Sequence, residues 1–199
     1  MSPQTTDPTS HLADQLDWHW KHQLRPRLDG LTDDEYFWEP VAGCWTVHRS
    51  WGSPRLRGRA KRPGNDSRNG GIDFAYPPPT PTPVTTIAWR LAHVIVGVLA
   101  MRAHSHFDGP PADYATWNYA GDAATALRQL DDAYAAWMSG VRKLSAADLA
   151  KPVGPAEGGF ADEPMIVLVL HINREVIHHG AEIALLRDLY VHSTHTKEI

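Results

Sequence analysis

The chain has 199 residues, 42% of them apolar and 21% charged, with a net charge of −4 at neutral pH. That length allows one domain with a substantial core, and the acidic balance argues against nucleic acid as the main partner, since phosphate binding wants a basic face. The opening residues carry no basic, apolar leader, the apolar runs at 94–101 and 166–172 are too short and interrupted to span a bilayer, and the single cysteine, Cys44, excludes an internal disulfide. The expectation is a cytoplasmic protein in a reducing compartment, with no membrane and no nucleic-acid partner.

Residues 1–9 read as a disordered lead. A first helix is expected from about Ser10, its cap, to Leu28, with Leu12, Leu16, Trp20 and Leu24 on one stripe and Gly30 as the stop. The stretch 31–40 predicts one short helical turn capped by Thr32, with Glu35 in the capping-box place. Residues 49–73 break the composition: six Arg and one Lys stand among Gly, Pro, Ser and Asn, with no apolar period. This reads as a flexible basic insertion, or as an anion- or nucleic-acid-binding arm that lacks interleaved aromatics apart from Trp51. The proline-rich 76–84 then predicts a stiff, polyproline-like connector.

A second long helix is expected from about Val84 to Phe107, with Thr82 as cap and Ile87, Leu91, Val94, Val98 and Met101 as its stripe. It is apolar on most sides, hence buried on most sides. A loop follows over 108–120. A third helix is expected over about Asp122–Leu144, with Leu127, Leu130, Tyr134, Trp137 and Val141 facing inward, and a short turn at 145–148. A fourth is expected from near Pro164 to about Val191, leaving 192–199 as a polar tail. No strand has a convincing partner. Four long amphipathic segments joined by loops predict an all-α, antiparallel four-helix bundle spanning 10–191.

The chain carries 12 His and 8 Trp. Trp18, Trp38, Trp45, Trp89 and Trp117 are expected as core or pocket wall, and Cys44 as a small buried residue. Seven histidines are set aside: His192 and His195 in the tail, His11 and His48 near helix ends or loops, and His19, His22 and His106 without a partner at ligand spacing. Of the remaining five, the fourth helix holds three and the second helix two, His93 and His104. His171, Glu175, His178, His179 and Glu182 crowd into three turns. At about 100° per residue, Glu175 stands about 40° from His171, and His179 about 80° from it, inside the strongest apolar arc. His178 points further round, toward solvent or a supporting role. Glu175 and His179, four apart and core-facing, suit one shared metal ion, since an unpaired carboxylate there would be costly to bury. The same spacing also suits a plain hydrogen-bonded Glu–His pair. A third donor from elsewhere would favour metal, and the best candidate is His93, midway along the second helix. A single core histidine is more often a satisfied hydrogen-bonder, yet Gly97 and Ala100 on the same face leave open space beside it.

The strings LAHV over 91–94 and REVIHHGAE over 174–182 resemble the DinB/YfiT-like superfamily of metal-binding four-helix bundles. QLDWHW over 15–20, LTDDEYFWEP over 31–40 and GCW over 43–45 are similar to its actinobacterial branch. The resemblance covers roughly 10–48 and 74–191. It implies one ligand from the second helix and two, four apart, from the last: His93, Glu175 and His179. Many members use three histidines. Glutamate in the middle is similar to the mycothiol-dependent maleylpyruvate isomerases. The resemblance further implies a divalent metal ion, zinc before nickel or iron, and a low-molecular-weight thiol as cosubstrate for a small electrophile. It also implies a homodimer. His178, His171 and Glu182 would orient ligands or shuttle protons. The alternatives are a metal-dependent hydrolase and a non-catalytic, metal-stabilised binding protein associated with stress.

Overall fold

The computed structural model describes residues 8–48 and 71–195, and these are mostly helical. The first long helix starts at Pro8, earlier than the expected Ser10. It runs as an α-helix over Pro8–His19, a π-helical segment over Trp20–Leu24 and a last α turn over Arg25–Arg27. Leu16, Trp20, Leu24 and Leu28 are buried along it. A short helix, Asp33–Tyr36, follows, and the Thr32 side chain caps it by accepting from Glu35 N–H.

The second long helix, Ile87–Phe107, begins later than expected. Its cap is Thr86, which accepts from Trp89 N–H, rather than Thr82. It is α-helical over Ile87–Ala92, π-helical over His93–Ala100 and α-helical again over Met101–Phe107. All seven residues from Val94 to Ala100 are buried. By length and composition this helix alone among the described residues would cross a bilayer, but most of its apolar surface is covered by the other helices. Asp108, in the left-handed region, ends it.

The third long helix, Ala123–Val141, is capped by Asp122 accepting from Thr125 N–H. The turn Ala146–Leu149 carries a full capping box between Ser145 and Asp148. The fourth long helix runs over Met165–His195, past the expected end near Val191. One apolar core draws on all four: Leu16 and Trp20; Leu91, Ile95 and Leu99; Leu130, Trp137 and Met138; and Ile172, Val176 and Ile183. Trp20 lies flat on Tyr134, with ring centroids 3.8 Å apart. The second helix packs against the third and the fourth, and the first against the fourth. Trp18 differs from the expectation: it is 58% exposed and tilts over His22 on the outer surface.

One strand pair was not legible in the sequence. Val47–His48 pairs antiparallel with Gly71–Ile72, so the described residues on either side of 49–70 lie side by side. Residues 49–70 of the expected insertion, and 1–7 and 196–199 of the expected lead and tail, lie outside the described residues. Asp73 belongs to the fold: its carboxylate accepts from Thr46 N–H at 2.9 Å and lies 2.7 Å from His48 Nε2. The connector that follows bends at 76–77 and at 80–81, so it is not the straight polyproline-like rod of the expectation.

Glu35 also departs from its expected role. It is 3% exposed, and its carboxylate is gripped by Arg187 of the fourth helix, Nε to Oε1 at 2.6 Å and Nη2 to Oε2 at 3.1 Å. Arg187 Nη1 also donates to the carbonyls of Arg27 and Asp29. One guanidinium thus pins the end of the first helix and the short helix after it onto the fourth. Bidentate geometry of this kind is strong only while both charges are present, since a single buried charge loses its solvation without compensation. Replacing Glu35 by Ala is expected to lower the unfolding free energy in urea by about 3 kcal/mol. The double replacement Glu35→Leu with Arg187→Met is expected to recover most of that loss.

Candidate metal centre

The fourth long helix reads polar on the side that faces the second over two turns, because residues four apart on an α-helix share a face. Glu175 and His179 stand there, and across the seam stands His93. One donor atom from each of the three lies within 4.8 Å of the others. The His93 and His179 rings meet edge to face with centroids 4.7 Å apart. His179 Nε2 is 3.4 Å from Glu175 Oε2. His179 is buried, while Glu175 and His93 are partly open to solvent.

The remaining nitrogens are occupied in a way that suits a bound cation. His179 Nδ1 is 2.7 Å from Glu182 Oε2; a carboxylate only accepts, so it favours the proton on Nδ1 and leaves the Nε2 lone pair free. His93 Nδ1 is 2.8 Å from the Tyr114 hydroxyl, so its free nitrogen is also Nε2. Burial, with the nearby His179 and Arg90 adding to it, pushes His93 down to about 4, against an opposing pull from Glu175. It is neutral near pH 7, the form that carries a lone pair for a metal. Two imidazoles and a carboxylate are donors that divalent zinc, nickel and iron all accept. These residues fit one such ion, with positions left over for a further ligand.

The other polar residues of the fourth helix ring this cluster. Glu175 Oε1 lies 3.5 Å from His171 Nδ1 and 3.6 Å from Arg174 Nε, so its second oxygen is turned toward His179. Arg90 Nε lies 3.1 Å from Glu182 Oε2 and balances that carboxylate. His178 points mostly into solvent, 3.6 Å from Glu182 Oε1, on the outer side of the same pair. Glu182, His178 and His179 form a second donor group, but it shares His179 and Glu182 with the arrangement already described.

Two supports were missed. Trp89 stacks on His93 with ring centroids 5.5 Å apart and planes 17° from parallel, and its indole N–H donates to the Asp73 carbonyl at 2.8 Å. The space expected beside Gly97 is not open. Tyr114 fills it, and a Cβ on Gly97 would fall 1.8 Å from the Tyr114 oxygen. The signal for this was a glycine in a buried helix, which marks the close approach of another group as readily as a vacancy. His106, set aside for want of a partner, has one far along the chain: its Nε2 is 2.9 Å from Glu157 Oε1, and Arg102 holds the other oxygen at 3.2 Å. That cluster fastens the 155–160 turn to the end of the second helix.

No curated protein and no solved structure matches the chain significantly. A family model does: the one described as the DinB superfamily aligns with residues 15–183, from the first long helix to just past Glu182 on the fourth. With that match over most of its length, the chain belongs to the DinB superfamily.

Proposed function

We propose that this chain is a metal-dependent transferase that joins a low-molecular-weight thiol, of the mycothiol type, to a small electrophile. In this reading its four long helices form the antiparallel bundle of the family, and His93, Glu175 and His179 hold one divalent ion, zinc in the first instance. The observation that carries the reading is the paired fixing of the two imidazoles: each has Nδ1 engaged by an oxygen, His179 Nε2 lies 3.4 Å from Glu175 Oε2, and one donor atom of each of the three residues lies within 4.8 Å of the others. A plain hydrogen-bonded Glu–His pair would not need a third donor from another helix, nor a carboxylate behind His179.

When bound, such an ion supplies Lewis acidity that holds a thiol's sulfur as thiolate at neutral pH. The chain's own residues set how strongly. Glu175 contributes a negative charge where three histidines would contribute none, so the site holds a cation more tightly and activates sulfur less. Glu182 keeps the proton on His179 Nδ1, and Arg90 offsets its charge. Trp89 covers one face of His93 and keeps water from it. His178 Nε2, exposed and beside Glu182, is placed to pass the thiol's proton to solvent.

Wild-type protein purified after metal-replete expression is expected to carry about one equivalent of metal, and Glu175→Ala to lose most of it along with conjugation of thiol to electrophile. Metal-free wild type would defeat the reading. Turnover is further expected to require added thiol. An electrophilic ester or amide consumed at the same rate without thiol would assign the site to hydrolysis instead, with water activated in place of sulfur.

A further inference from the structure

Tyr114 lies in the loop between the second and third long helices, where no periodicity marks it. Its phenol reaches into the helical core at one point only. The hydroxyl meets His93 Nδ1 at 2.8 Å, and the ring end rests in the notch left by Gly97, where a Cβ would stand 1.8 Å from the oxygen and 2.7 Å from Cζ. The loop around it is braced. The Tyr119 hydroxyl donates to the Tyr114 carbonyl at 2.7 Å, the Asp113 carboxylate accepts from Ala115 N–H at 2.7 Å, and the Asp113 carbonyl accepts from Trp117 N–H at 2.9 Å. A ring held at both its backbone and its hydroxyl has little freedom to turn.

We infer that Tyr114 is a positioning residue for His93, orienting its imidazole so that Nε2 faces Glu175 and His179. The inference rests on the metal reading above. It follows from the difference between the two histidines. His179 is backed by a carboxylate, which accepts only. His93 is backed by a hydroxyl, which both donates and accepts. Without a cation the phenol O–H is able to donate to Nδ1. With Nε2 given to a cation, the remaining ring proton sits on Nδ1 and the phenol oxygen accepts it, with no movement of heavy atoms. The hydroxyl therefore supports the ring in both states, and Gly97 is the residue that lets it come close enough.

Partners that orient a metal-bound histidine typically contribute ten- to a hundredfold in affinity. Tyr114→Phe keeps the ring in the Gly97 notch and removes only the oxygen. Zinc affinity, measured by competition with a chromophoric chelator, is expected to fall about ten- to a hundredfold in this variant, a loss of binding free energy larger than the loss of stability of the metal-free form. Gly97→Ala, which drives the phenol out of the notch, is expected to weaken zinc binding as well. In the zinc-loaded wild type, long-range 15N–1H NMR is expected to show a His93 Nδ1 proton protected from exchange, and in Tyr114→Phe an exposed one. Equal affinity in wild type and Tyr114→Phe overturns the inference. So does a loss of affinity matched by an equal loss of metal-free stability, since that is a packing role. Wild type that binds no zinc fails one step earlier and overturns the metal reading with it.

Discussion

Between the second and fourth long helices a carboxylate and two imidazoles stand at the edge of a core made mostly of apolar side chains. Polar groups cost free energy when left unpaired away from water, most of all the buried His179, so the seam favours a partner for each. The surrounding sequence answers this group by group. Glu182 meets His179 and Arg90 meets Glu182. Arg174 lies 3.6 Å from the outer oxygen of Glu175 and donates to His171 Nδ1 at 2.7 Å, and Tyr114 meets His93. After these pairings, one donor atom from each of His93, Glu175 and His179 lies within 4.8 Å of the others. Two imidazoles and a carboxylate at that separation could hold one divalent cation.

The two helices contribute unequally. The fourth supplies two donors at a fixed spacing of one turn, so their relation is set by α-helical geometry alone. The second supplies one, and it does so at the start of a π-helical segment, where i→i+5 hydrogen bonding departs from the α-helical phase. His93 accordingly receives more external support than the pair on the fourth helix. Trp89 lies on one face, anchored through its indole to Asp73 beside the small strand pair, and Tyr114 holds the edge from the loop after the helix. Segments on both sides of the second helix thus converge on one imidazole. Arg102, which donates to the Gly97 carbonyl and pairs with Glu157, adds a further tie on the same stretch of helix.

The parts of this arrangement that a periodic pattern governs were readable from sequence. Leu16, Trp20 and Leu24, or Leu130, Tyr134 and Trp137, announce their helices because burial repeats along them, and Glu175 with His179 stood out against the same background. Helix ends were less legible: Thr86 and Thr82 are equally good caps in isolation, and only the contacts of Trp45 with the backbone at 84 and 86 decide between them. Groups acting over long sequence separations were not legible. Tyr114 and Glu157 sit in irregular stretches, and nothing local tells a tyrosine in a loop that its hydroxyl belongs to a helix. Glu35 shows the same limit from the other side. Its position suggested a local capping bond, but Arg187, far along the chain, offered two charged donors and prevailed. Gly97 was misread because a missing Cβ looks the same in sequence whether the gap is empty or filled.

The strand pair at Val47–His48 and Gly71–Ile72 is small, yet it settles how the fold relates to the chain between its two halves. Because the chain returns beside the point where it left, the helices are indifferent to how much polypeptide lies between. Closing a longer excursion across such a clasp is cheap, about 0.6 kcal/mol for each doubling of its length. Sequence can accordingly be gained, lost or rewritten there without disturbing the placement of Trp89 on His93. The clasp thus separates the question of what lies between its strands from the question of what aligns the donors.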